Sequence, residues 1–296
     1  MDLPHAAPTD ILMYGLDPEC RLRVEEALLR GRALGPGRWA AMQVPDEEAL
    51  VRAAIHSAPV LVLVAWNGRV DRSRDPEEAG PVERPIERLV GRLPSTPIVV
   101  YAAEEELDLH AAHHLGRIGV PKVIRKGVDD DPERLADTLV QVAAFGSGMR
   151  ALEEVSRGLP DPFVRLLRKG YRAARMPENP RTGRLTAATL CGLWMAGAHR
   201  STAAAALRQA GLPPPGWLAR WLVGLRAVAQ LGNPGARPEG VARALGLPSA
   251  AALRELLRRL TGRPTRGVRT EDLVRAFRDR CRQVREKTER RRRRDP

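Results

Sequence analysis

The chain has 296 residues, of which 43% are hydrophobic and 29% charged, a balance that describes a soluble globular protein rather than a disordered one. The net charge of +13 is unevenly spread: residues 151–296 carry 31 Lys/Arg against 12 Asp/Glu, and residues 1–150 carry 18 against 24. The second half is therefore suited to a polyanionic partner and the first is not. Cys20, Cys191 and Cys281 are too scattered for a disulfide framework or a zinc site, and they fit a reducing compartment. The opening MDLPHAAPTD has neither a basic start nor an apolar run, so no signal peptide is expected. The longest uncharged apolar stretch, 185–198, is too short to cross a bilayer. A cytoplasmic protein with no membrane partner is the expectation.

Residues 10–146 alternate strand-like and helix-like segments. Ile11–Tyr14 is a short apolar run, and Asp17 can cap a helix reaching about Arg30. Trp39–Val44 reads as the next strand, and Asp46 opens a helix with Leu50, Ala53 and Ala54 on one face. Pro59–Trp66 (PVLVLVAW) is a continuous branched apolar run, as expected of a strand buried on both faces. A long polar loop over 67–81 leads to a helix carrying Val82, Ile86, Leu89 and Val90. Pro97–Tyr101 is a fourth strand, 104–117 a helix, and Lys122–Arg125 a fifth strand. Asp131-Pro-Glu then starts a helix with Leu135, Leu139 and Val142. Five strands alternating with helices imply a doubly wound parallel sheet, since parallel strands need crossover connections. FGSG at 145–148 reads as the linker to a second domain.

Beyond Met149 no strand pattern appears, and an all-α second domain over 150–270 is expected. ALEEVSRGL and DPFVRLLRKGYRAA read as amphipathic helices. Within 183–269 two similar units recur, each a short helix, a small-residue turn and a second helix. In the clearer one, Val241–Leu245 is stopped by Gly246, and Ser249 caps a helix with Leu253, Leu256, Leu257 and Leu260 at three- and four-residue spacing. Arg254, Arg258 and Arg259 fall outside that stripe. This is the pattern of a helix-turn-helix, whose second helix lies in a DNA major groove. The other unit offers Arg200, Ser201, Thr202 and Arg208 around the alanines of its second helix; alanine can only touch a thymine methyl. Between the units, Trp217–Leu231 forms a helix roughly 22 Å long at 1.5 Å per residue, expected to bury Trp217, Leu218, Trp221, Leu222, Leu225 and Val228. A last segment, 271–296, reads as a basic helix to about Glu289 followed by a disordered arginine arm, Arg290–Arg294.

The order and spacing of 10–146, with Lys126 just after the fifth strand, resemble a response-regulator receiver domain. Receivers accept phosphate on an Asp ending the third strand and hold magnesium with acids after the first. Here the third strand ends in Ala65, Trp66 and Asn67, the first in Gly15 and Leu16, and Tyr101–Ala103 stand where a Ser or Thr is usual. Without nucleophile or metal clamp, the resemblance implies a pseudo-receiver that works by protein–protein contact, as a homodimer or with another partner.

VARALG, Leu253 and Leu257 four apart, Gly262 with its Pro264-Thr265 pair, and AGLPP at 210–214 resemble the DNA-binding domain of AraC-type transcription regulators. That family packs two helix-turn-helix units about a linking helix. It implies double-stranded DNA as partner and Arg200, Ser201, Thr202, Arg208, Ser249, Arg254, Arg258 and Arg259 as the DNA-contacting set. Here Pro264-Thr265 reverses the family's usual order. An RNA-binding antiterminator and a non-catalytic signalling scaffold are the alternatives. His110 and His114, one helical turn apart, lack a third metal ligand, and Asp129–Asp131 reads as a loop and helix cap. No catalytic arrangement, metal site or cofactor loop is expected.

Overall fold

The computed structural model describes residues 11–32, 40–57, 59–66, 85–94, 96–107, 109–174, 185–194, 200–233, 236–264 and 267–294. The chain divides into two compact units, Met1–Gly146 and Ser147–Pro296.

In the first unit β1 (Ile11–Tyr14), β2 (Ala41–Val44), β3 (Leu61–Trp66), β4 (Ile98–Ala102) and β5 (Lys122–Arg125) form one parallel sheet in the order β2-β1-β3-β4-β5. This is the doubly wound, receiver-like order, whose crevice opens at the carboxyl ends of β1 and β3. Helix α1 (Pro18–Arg32) and the first turns of α5 (Pro132–Ser156) cover one face. Helices α2 (Glu47–Ser57), α3 (Pro85–Arg92) and α4 (Leu109–Ile118) cover the other. The uninterrupted apolar runs of β3 and β4 follow from that double covering: Leu61 and Leu63 pack with α1 and α5, and Val62 and Val64 with α2 and α3.

The second unit is helical: α6 (Asp161–Ala173), α7 (Ala187–Trp194), α8 (Arg200–Gln209), α9 (Pro215–Leu231), α10 (Pro238–Ala244), α11 (Ala250–Thr261) and α12 (Thr270–Arg294). Helix α9 is its axis, packed by α6, α7, α10, α11 and α12, and everything from Leu218 to Ala229 except Arg220 is buried. Trp221 is fully buried. Its indole N–H donates to the Leu273 carbonyl at 2.9 Å, and its ring meets Phe277 at 4.7 Å. Trp217, expected in the core, is only half-buried.

Three further expectations change. Residues 145–148 are helical, inside α5, rather than a linker. The expected helix over 104–117 is a 3-10 turn at Glu104–Glu106 and a separate α4. The arginine run continues α12 to Arg294 as helix, so no disordered arm begins at Arg290.

Candidate nucleic-acid interface

Helix α11 is built by its two ends. The turn before it forms because Gly246 takes a left-handed conformation (φ 65°), which lets the Leu247 N–H reach back to the Ala242 carbonyl at 2.8 Å. Leu245 and Leu247 are buried on either side of that glycine. Ser249 has extended backbone, and its hydroxyl oxygen accepts from the Ala252 N–H at 3.2 Å, satisfying one of the orphan donors of the first turn. At the other end Gly262, also left-handed, closes α11 by donating to the Arg258 carbonyl. Between the caps Ala250, Leu253, Leu256 and Leu257 are buried, and Ala251, Arg254, Arg258 and Arg259 stand outside.

The expected cations of α11 are therefore brought together on one outward face, with the exposed Ser249 at its start. Their partners were not expected. Glu255 sits among them. Arg258 grips its carboxylate with Nε and Nη2, each at 2.9 Å, and Arg259 Nε donates to Oε1 at 2.5 Å. The Arg259 and Arg258 guanidiniums hold the Glu255 carboxyl below its ordinary value. Arg254 lies 4.0 Å from Glu239 of α10 and borders a cavity of about 620 Å³ shared with Val228, Gly232, Arg269 and Glu271. The glutamate at i−3 and i−4 from the two arginines is the signal that could have revealed this pairing.

Helix α8 presents a second outward face. Ala203 and Leu207 are buried; Ser201, Thr202 and Arg208 are exposed on one side, with the half-buried Ala205 between them. Arg200 opens this helix. Residues 195–199, between α7 and α8, lie outside the described residues. Helix α8 ends as α10 does: Gly211 is left-handed (φ 70°), and the Leu212 N–H reaches the Leu207 carbonyl at 2.8 Å. The same glycine device therefore ends the second helix of one pair and the first helix of the other.

In the first unit, the corner where receivers do their chemistry is held by ion pairs. Lys126 Nζ lies 3.0 Å from both Asp17 and Glu19, and those partners, Asp17 first, push its pKa up. Asp17 also caps α1 as expected, accepting from the Cys20 N–H at 2.8 Å. β3 ends on the buried Trp66; Asn67 lies outside the described residues. Asp131 caps α5 through the N–H groups of Glu133 and Arg134. Its neighbour Asp130, expected to serve in the same loop and cap, is 2% exposed. It accepts from Arg23 at 2.6 Å, from the Tyr101 hydroxyl at 2.6 Å and from the Gly127 N–H at 2.9 Å, so both oxygens of the buried carboxylate are hydrogen-bonded. The Cys20 thiol is pushed up to about 11, first by burial and then by the hydrogen bond to Asp17, which leaves it unreactive. His114 pairs with Glu87 at 2.6 Å. Among the described residues no group of His, Cys, Asp and Glu could hold a metal ion, and no helix is long and apolar enough to cross a membrane.

No family model matches the chain, and no curated protein matches it. Among solved structures it is similar to NtrX from Brucella abortus, in a complex with ADP, with a TM-score of 0.37 and 15% identity. The match covers 66% of this chain and 43% of that one, so it spans less than half of NtrX, and at this level it carries no argument about function. The strand order itself makes the first unit a receiver-like α/β domain, and an all-α unit comes after it.

Proposed function

We propose that this chain is a DNA-binding transcription regulator of AraC type, in which α11 and α8 enter successive major-groove segments. The observation that carries the reading is the outward face of α11. A helix capped by Ser249, anchored by Leu253, Leu256 and Leu257, and preceded by a glycine turn offers Arg254, Arg258 and Arg259 to solvent on one side. That is the frame of a recognition helix. The surplus of Lys/Arg in residues 151–296 supplies the sequence-independent attraction to phosphates. α12 adds exposed Arg275, Arg278, Arg282, Arg285 and Arg290 to it.

In this reading the receiver-like unit regulates without phosphoryl transfer. The corner that would receive a phosphate has no acceptor acid at the end of β3, and Asp17 and Glu19 occupy Lys126. Control then runs through protein contact. Leu22 and Leu29, two turns apart on α1 and more than half exposed, are the surface such a partner or second copy would cover. α11, with three arginines outward, supplies most of the discrimination, and the alanine-rich α8 mainly positions the backbone.

Selection from a library of randomised duplexes with the full chain tests the reading. Enrichment of a motif with two separated half-sites is the expected result. Recovery of no motif, or preferential retention of RNA hairpins over duplex DNA, would overturn it.

A further inference from the structure

We infer that Glu255 is the specificity-determining residue of α11, accepting a hydrogen bond from the exocyclic N4 amino group of a cytosine in the major groove. This rests on the DNA-binding reading above and extends it to one base. Glu255 is the acid of a face otherwise formed by Ala251, Arg254, Arg258 and Arg259. A carboxylate there is a liability for a helix that only needs to hold phosphates, because it is repelled by them and it neutralises neighbouring cations. Here it engages two of those cations at once.

Both costs turn into discrimination if the carboxylate meets a donor in the groove. Glutamate and aspartate accept from cytosine N4, which is the base edge that presents a donor without an adjacent N7 acceptor. Arg258, one turn further along α11, is already gripped through Nε and Nη2. Its guanidinium therefore lies beside the carboxylate, and in the proposed complex its free edge would read the O6 and N7 of a neighbouring guanine. Against guanine or thymine, whose major-groove edges present only acceptors and the thymine methyl, the carboxylate meets no donor from the base, which is unfavourable. On random DNA it keeps Arg258 and Arg259 occupied and so lowers sequence-independent affinity.

The test compares wild type, Glu255→Ala and Glu255→Gln in the full chain. The probes are the duplex enriched by wild type from a randomised library and a scrambled duplex of equal composition. Glu255→Ala should reduce the ratio of enriched to scrambled affinity about tenfold. It should also steepen the salt dependence on the scrambled duplex by about one released counterion. Glu255→Gln, which keeps the side-chain shape, should move the preference at one position from cytosine to adenine, the base that glutamine reads. If both variants enrich the wild-type motif with an unchanged ratio, the assignment of Glu255 falls and the DNA-binding reading stands. If wild type itself enriches nothing and retains no duplex, the reading falls and the assignment falls with it.

Discussion

The Lys126 ammonium lies 3.0 Å from the Asp17 carboxylate, across 109 residues of sequence. The pair joins the end of β5 to the start of α1. The Cys20 N–H first, and then Lys126, hold the Asp17 carboxyl below its ordinary 3.8. A carboxyl lowered in the folded state adds stability that is present above its unfolded pKa and lost as pH falls through the folded value. Asp17→Asn should therefore lower the denaturant midpoint near neutral pH; the difference from wild type should begin to shrink as pH drops below about 4 and vanish once pH falls below the lowered folded-state value. Urea titrations over that range check this; a gap that widens on acidification would contradict it.

The glycines inside α5 make a second prediction. A Cβ at Gly148 would stand 1.8 Å from the Tyr171 hydroxyl and 2.4 Å from its ring, and Tyr171 is fully buried. Gly148→Ala should destabilise the helical unit by about 1–3 kcal/mol through overpacking. Gly240 in α10 has nothing within 4 Å of its Cβ position. Gly240→Ala should therefore stabilise by about 0.5–1 kcal/mol, through helix propensity. Thermal melts of the two variants should move in opposite directions.

Those glycines also mark where sequence and structure part. Phe145-Gly-Ser-Gly reads as a linker because glycine weakens a helix. At Gly146 the Val60 carbonyl and the Pro97 ring come within 2.9 Å of a Cβ position, so packing selects glycine there and overrides propensity. The burial of Asp130 is equally hidden, because its partners Arg23 and Tyr101 come from distant segments. The strands are legible because PVLVLVAW and PIVVY are unbroken apolar runs, and the α10–α11 pair because Gly246 and Ser249 each have a local job. The helical form of Arg290–Arg294 is explained by good arginine propensity and by glutamates Glu286 and Glu289 one turn before, although a like-charge run reads as a tail. At the candidate interface, the outward cations of α11 are legible from periodicity. Their grip on Glu255 is written in the spacing, but a periodicity argument sorts side chains by face and does not pair them.

Ser249 separates stability from binding. Ser249→Ala removes the cap on Ala252 and should cost about 1 kcal/mol. Ser249→Asp keeps a capping oxygen and should melt close to wild type, yet it places a negative charge at the start of the proposed groove-facing helix and should weaken duplex binding. Parallel melting and binding curves check the split; loss of stability and of binding in step in both variants would contradict it.

The two outward faces should respond differently. Arg254→Ala, at a proposed base contact, should cost about 1–3 kcal/mol of binding and relax the preference at one position. Arg208→Ala, on α8, should weaken all duplexes alike and reduce the salt slope by about one. Equilibrium binding of each variant to enriched and scrambled duplexes distinguishes the roles.

The most direct measurement is the affinity of the full chain for a labelled duplex as salt is raised. A helical unit that meets phosphates through several arginines should bind at about 50 mM salt and weaken steeply, linearly in the logarithm of salt, by about 200 mM. No binding at the lower concentration, or an affinity indifferent to salt, would contradict the assignment of the basic unit to DNA.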